Sequence, residues 1–377
     1  MQRPLRLLGL VLVGAMAAGV VACSGGDDDS PKGGTGGSGA TGGGSSTGGT
    51  SGGTCGPVSA EFPGKCALGA DSLCCDTTLP VLTVTKSGQQ VAPDWSCITG
   101  AGGAGGAAGS GAGGAAGSGA AGAAGGPQRI FVVKDFLTGN AVPDLDVDLY
   151  EGDHIYGQTP FASGTTKGPE SGGPAELNDG ELFFPTPAAS VIAYHVHAKP
   201  NVAKEFYGFG DRMFAPPRRI EGTTIRPSDY ATLATAVANA YPGTTPGWTP
   251  PAGYGIVAAP IRDCDDDDLR GARFVLVDGD TGKPLPAGNC DTDARYIYSD
   301  ADVPQPKCTF SHPKQSLGVV INVPPNTDAA TAAHKYKLQF WGRISESDAE
   351  PVLFMEQEVE VFADAVTVYQ LLPNVRR

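Results

Sequence analysis

Apolar and polar positions alternate along Val142–Tyr150, with Leu145, Val147 and Leu149 on one face and Asp144, Asp146 and Asp148 on the other. A period of two with one acidic face is the pattern of a half-buried β-strand. A strand over Ile130–Lys134 precedes it, and Thr138-Gly139-Asn140 supplies the turn between them. The same order returns in Tyr254–Val277, where Asp263 corresponds to Asp135, Leu269 to Val142, Ala272 to Leu145, Phe274 to Val147 and Leu276 to Leu149. The chain is therefore organised around an internal repeat of strand, Asp-led turn and alternating strand.

The first copy continues through the turn Asn178-Asp179-Gly180 into strands at Glu181–Phe184 and Ser190–Ala198. The second copy predicts strands at Gly255–Ala259, Ala272–Val277, Gly318–Val323, Tyr336–Trp341, Val352–Val361 and Ala365–Leu371, the last two joined near Ala363-Asp364. Between the copies, Ser228-Asp229 starts a helix over Tyr230–Ala240 with Leu233, Val237 and Ala240 on one face, and Pro242 ends it. A Pro-rich spacer runs on to Pro251. This places a first β-sandwich at 128–217, a connector at 218–252 and a second sandwich at 253–377.

The N-terminal third obeys no such period. Arg3 and Arg6 followed by the apolar run Leu7–Val21 form an export signal, residues 1–22, too short to be read as a span. Gly, Ser and Thr dominate 23–54, and Gly and Ala dominate 99–127; neither composition can bury a core, so both read as disordered tethers. Within the first, Gly34–Gly39 satisfies the dinucleotide GxGxxG pattern without a strand before it or a helix after it, an accident of composition. Between the tethers, 55–98 is a small module with Cys55, Cys66, Cys74, Cys75 and Cys97, read as disulfide-stapled in an exported protein. One strand, Leu79–Thr85, and one aromatic anchor, Trp95, are legible in it. Five cysteines are odd, so one is expected to pair with a member of the set Cys264, Cys290 and Cys308.

A net charge of −14 excludes a phosphate-backbone partner, because counterion release needs clustered Lys and Arg. Two resemblances add to these readings. Val20-Val21-Ala22-Cys23 resembles the lipobox of bacterial lipoproteins, with Val20 where Leu is usual. It implies a lipidated Cys23 and a bilayer as partner, and Ser24 after it resembles the outer-membrane-destined class. Asp135, Thr138-Gly139, Val142-Pro143, Val147, Asp179-Gly180 and Tyr194, with Gly271-Ala272 and Asn322-Val323-Pro324-Pro325 in the second copy, resemble carboxypeptidase-regulatory-like domains. That resemblance implies a mainly β protein of two separate transthyretin-like (prealbumin-like) β-sandwiches, beside the disulfide-rich module and the Gly-rich linkers. In that family such modules are non-catalytic, which implies a structural or binding role toward an envelope protein or a glycan, contacted at sheet edges.

Two clusters carry candidate chemistry. His195-Val196-His197 on a strand puts both imidazoles on one face, as a metal site requires. Intradiol dioxygenases, a related sandwich, bind iron with such a strand and two Tyr; here Tyr150 or Tyr156 would have to supply them, and an iron-dependent enzyme is the rival reading. The repeat favours a polar surface instead, since it aligns Tyr194–Ala198 with Tyr336–Phe340 and sets the two His opposite Lys337 and Gln339. Asp263, Asp265 and Asp267 invite Ca2+, but Asp268 and Phe274 stand where an EF-hand needs Gly and Glu. The favoured reading is a solvated loop pinned by a disulfide from Cys264 to Cys290 or Cys308. No nucleophile with a base is found, so no enzyme and no cofactor are expected.

Overall fold

The computed structural model describes residues 79–95, 128–189, 191–212, 219–232, 247–265, 267–285, 293–300, 303–305, 310–311, 317–326 and 336–370. The export signal, both Gly-rich tracts, Cys23, Cys55, Cys66, Cys74, Cys75, Cys97, Cys290 and Cys308, and the expected helix beyond residue 232 lie outside these residues.

The described chain is mainly β. The first repeat contributes β3 (Gln128–Asp135), β4 (Asp146–Glu151), β5 (Ala162–Thr165), β6 (Glu181–Pro185), β7 (Val191–Val196), β8 (Phe206–Arg212) and β9 (Arg219–Thr224). The second contributes β10 (Gly255–Pro260), β11 (Leu269–Arg270), β12 (Arg273–Asp278), β13 (Arg295–Asp300), β14 (Val303–Gln305), β15 (Leu317–Val323), β16 (Tyr336–Gly342), β17 (Val352–Val359) and β18 (Val366–Tyr369). The hairpin β1 (Thr83–Lys86) and β2 (Gln89–Val91) precedes both.

The repeat seen in the sequence is a repeat of topology. β3 runs between antiparallel β6 and parallel β9, and β10 runs between antiparallel β15 and parallel β18. The opposing layers match as well: β4, β7 and β8 pair in that order, as do β12, β16 and β17. Leu145, Val147 and Leu149 are buried in the first copy, and Ala272, Phe274 and Leu276 in the second, so the period-two faces point into the cores as read. Asn178-Asp179-Gly180 makes its turn with Gly180 at φ 81°, where a side chain would strain.

The two sandwiches, which the sequence predicts to be separate, share a sheet. β8 of the first pairs in parallel with β18 of the second, Tyr207 opposite Thr367 and Phe209 opposite Tyr369. A single nine-stranded sheet results, in the order β14-β13-β15-β10-β18-β8-β7-β4-β5. One face packs on the sheet β6-β3-β9 through Tyr194, Phe206, Ile256 and Val366; the other packs on β12-β16-β17 through Tyr150, Phe209, Val257 and Tyr369. Each core thus draws side chains from both repeats. The cause lies in Phe206-Tyr207-Gly208-Phe209 and Val366-Thr367-Val368-Tyr369, strands that are apolar on both faces and so suited to a sheet covered on both sides.

Two boundaries shift accordingly. The segment expected to be a connector from 218 begins with β9, which completes the first repeat's smaller sheet. The helix starts as expected, with residues 227–232 helical and Tyr230 packed on the second core cluster. The strand expected at Leu79–Thr85 is shorter and later, and it is docked rather than free. β1 pairs with β11, Leu82 and Val84 are buried in the second sandwich, and Trp95 lies 5.6 Å from Phe354.

Candidate functional site

The polar rim of the nine-stranded sheet, where β4, β7 and β8 lie side by side, gathers the chemistry. In the antiparallel register His195 faces Asp148 on one side and Tyr207 on the other. Strand alternation sends Ile192, Tyr194 and Val196 into one core and turns His195 and His197 to the opposite face, with the same side as Asp148. Asp148 Oδ2 lies 2.9 Å from His197 Nε2 and 4.0 Å from His195 Nδ1. Ligand atoms of Asp148, His195 and His197 all fall within 4.8 Å of one another.

Asp148 and His195 are held from behind. Ser163 on β5 donates its hydroxyl to Asp148 Oδ1 at 2.5 Å. Glu205 Oε1 contacts His195 Nε2, while Glu205 Oε2 accepts the Ala198 N–H at 2.8 Å. The Tyr207 ring stacks on His195 with centroids 4.2 Å apart, and the two imidazole rings are 4.0 Å apart. Burial raises the Asp148 carboxyl, but the Ser163 and His197 hydrogen bonds outweigh it and leave the group below the usual aspartate range. Glu205 follows the same pattern, burial being outweighed by the His195 bond, the Ala198 N–H and the charge of the two histidines.

His195 is only 8% exposed, whereas its side chain was expected on a solvated face. In the second repeat the equivalent face is wet, with Lys337 on β16 paired to Glu356 on β17 at 3.0 Å. In the first repeat the second one roofs this part of the sheet: Tyr207, already against His195, is covered by Phe362. His197, at the rim, stays 42% exposed. Of the tyrosines that an iron-dependent dioxygenase would need, Tyr150 lies two residues beyond Asp148 on the same face of β4, buried in the core that also holds Tyr207. Tyr194 faces the other core and accepts the Thr223 N–H, and Tyr156 donates to the Asn326 and Val361 carbonyls. Asp148 and Glu205, which complete the cluster, went unnoticed in the sequence; Asp148 already stood on the polar face of the alternating strand.

The acidic loop has a different organisation. Asp263 is buried; its Oδ1 accepts the Asp265 and Asp267 N–H groups, each at 3.0 Å, and its Oδ2 accepts the Asp94 N–H at 2.9 Å. Lys86 Nζ sits 2.6 Å from Asp265 and 3.4 Å from Asp267, so the loop's charge is answered by an ammonium of the docked hairpin. Its counterpart Asp135 caps the equivalent turn, accepting both the N–H and the hydroxyl of Thr138 at 2.8 Å. Cys264 is disulfide-bonded, and its N–H donates to the Asp94 carbonyl at 3.0 Å.

No protein-family model matches the chain, and no curated protein matches it. Among solved structures it is similar to the shaft pilin SpaA from Lactobacillus rhamnosus GG, at 11% identity over 64% of this chain and 96% of that one, with a TM-score of 0.19. It is also similar to the minor pilin GBS52 of Streptococcus agalactiae (8% identity, 65% and 94% of the two chains, TM-score 0.17). A streptococcal ancillary pilin follows at 11% identity, 66% and 62% coverage and a TM-score of 0.16. Overlap at that level carries no assignment.

Proposed function

We propose that the chain is an exported, non-catalytic binding protein, tethered to the cell envelope through an acylated Cys23, whose contact surface is the open edge of β17. One contrast carries this reading. β8, the outer strand of the first repeat's β4-β7-β8 layer, is closed by β18. β17 is its counterpart in the second repeat, and among the described residues it pairs with β16 alone. Val352 and Leu353 on that strand are 38% and 42% exposed, and Ile344 beside it is 48% exposed.

An exposed edge presents unpaired N–H and C=O groups that an extended segment can complete, while the side chains on it choose the segment. Apolar residues at such an edge favour an extended protein strand over a glycan. The Gly-rich tract 23–54 supports the reading, because a coil of that length spans on the order of 30 Å and would hold the β unit clear of a bilayer.

A photo-cross-linking residue at Ile344, read on intact cells, tests the contact. Discrete adducts are expected with the native edge and are expected to vanish in V352K/L353K, which places charge on it without touching the core. Equal adducts in both proteins, at matched far-UV spectra, would overturn the edge as the contact. Separately, Cys23→Ser is expected to move the protein out of the membrane fraction; retention there would overturn the anchor and leave the edge untouched.

A further inference from the structure

We propose that Asp148, His195 and His197 form a binding site for one divalent first-row transition metal, with zinc as the reference ion. Two imidazole nitrogens and one carboxylate oxygen suit zinc, copper, nickel or ferrous iron, and do not suit calcium or magnesium, which take oxygen ligands. The observed spacings are 2.9 Å for Asp148–His197 and 4.0 Å for Asp148–His195. A tetrahedral ion with bonds near 2.0–2.1 Å needs its ligands about 3.3 Å apart, and the three ligand atoms already lie within 4.8 Å of one another. Three protein ligands leave a fourth position, and the 42% exposure of the His197 side chain puts it toward solvent.

Two of the three ligands, Asp148 and His195, have the supporting shell of a metal site. A ligating histidine ordinarily gives its other ring nitrogen to a carboxylate or a carbonyl, which fixes tautomer and ring angle. Glu205 does this for His195 at Nε2, leaving Nδ1 for the ion, and Ser163 fixes the Asp148 carboxylate through its second oxygen. Tyr207 stacked on His195 limits rotation of the imidazole. The second repeat supplies the internal comparison. Its equivalent positions hold Lys337, Gln339 and Val275, and the Lys337–Glu356 ion pair there is the ordinary way to dress an outer sheet face. Only the first repeat carries the nitrogen and oxygen donors together.

The full chain, purified in detergent, stripped with chelator and titrated with zinc chloride alone in a calorimeter, tests the site. One equivalent is expected to bind, and cobalt in its place is expected to give visible absorption bands of a tetrahedral nitrogen–oxygen site. Asp148→Asn and His197→Ala should abolish that equivalent, and Glu205→Gln, acting through His195, should weaken it by about 10- to 100-fold. His154→Gln, a histidine outside the cluster, should change nothing. His197 is half exposed, so His197→Ala should keep its far-UV spectrum and melting temperature in the absence of metal. Absence of zinc binding by the wild type, or binding that survives both His197→Ala and Asp148→Asn, would overturn the proposal.

Discussion

Tyr207 lies face to face on Phe362, their ring centroids 3.7 Å apart and their planes 10° from parallel. One ring belongs to the outer strand of the first repeat and the other to the loop that leads into the last strand of the second. Phe362 also stacks on Tyr156 at 4.6 Å, so three aromatic rings join the repeats beside the shared sheet. Burial, with the Glu205 charge adding to it, holds the Tyr207 hydroxyl far above the usual phenol range, as expected of a group sealed between two layers.

Phe362→Ala should therefore weaken both repeats at once. The side chain is only partly buried, so the loss is expected at about 2–3 kcal/mol, below the 3–5 of a fully buried Phe. In urea, far-UV circular dichroism and tryptophan fluorescence should report one coincident transition for wild type and variant, because neither sandwich can lose the common sheet alone. Two resolved transitions in the wild type would mean that the repeats unfold independently.

A second prediction concerns Gly208, which lies under the Tyr194 ring. A Cβ built there would sit 2.1 Å from Tyr194 Cε1. Gly208→Ala must push the ring, whose hydroxyl accepts the Thr223 N–H at 2.7 Å, and it should cost about 1–3 kcal/mol by overpacking. Combining it with Tyr194→Leu should cost less than the sum of the two single changes. A double-mutant cycle in denaturant measures that coupling, and strict additivity would place the strain elsewhere.

Strands with one wet face were legible. Val142–Tyr150 and Tyr336–Trp341 announced themselves by alternation, and β4 and β16 occupy them with the expected faces inward, whereas β7 on Ser190–Ala198 is buried on the face of His195 as well. β8 was not legible, because a strand buried on both sides reads Phe-Tyr-Gly-Phe with no period to detect. Its partner β18 was found as a strand, yet nothing local states that its neighbour lies in the other repeat. The same gap explains the site. His195-Val196-His197 was visible as a pair, but placing Asp148 and Glu205 against it requires the register of β4 on β7 and the path from β7 to β8, both set by long-range packing.

The disulfide at Cys264 should link the docked hairpin to the second repeat. Asp94 is bonded to this loop from both of its backbone groups, with N–H to Asp263 and C=O from Cys264. Cys97 follows three residues later in the sequence, within about 10 Å of reach along an extended chain. Peptide mapping under non-reducing conditions should recover a Cys97–Cys264 pair, which departs from the Cys290 or Cys308 partner favoured on sequence grounds. Cys264→Ser should lower stability by about 2–5 kcal/mol. Recovery of Cys264 joined to Cys290 or Cys308 would reject the link.

High pH should unfold the protein through its buried phenols. Desolvation pushes the Tyr336 hydroxyl up to about 12, with the Asp278 charge adding to it, and burial does the same for Tyr156, beside Glu360, and for Tyr230, beside Asp364. The unfolded chain releases these protons near pH 10, so above that pH it binds fewer protons than the native state and is favoured. Their contribution is complete below pH 10 and is lost as pH rises from there toward 12. Melting temperature should be flat from about pH 8 to 9.5 and then fall, with the tyrosinate absorbance appearing together with loss of the far-UV signal rather than before it. Tyr336→Phe keeps the ring and removes one such group, so its alkaline limb should be shallower than that of the wild type. An unchanged limb in that variant, or tyrosinate forming in full while the fold persists, would show that these hydroxyls reach water in the native state.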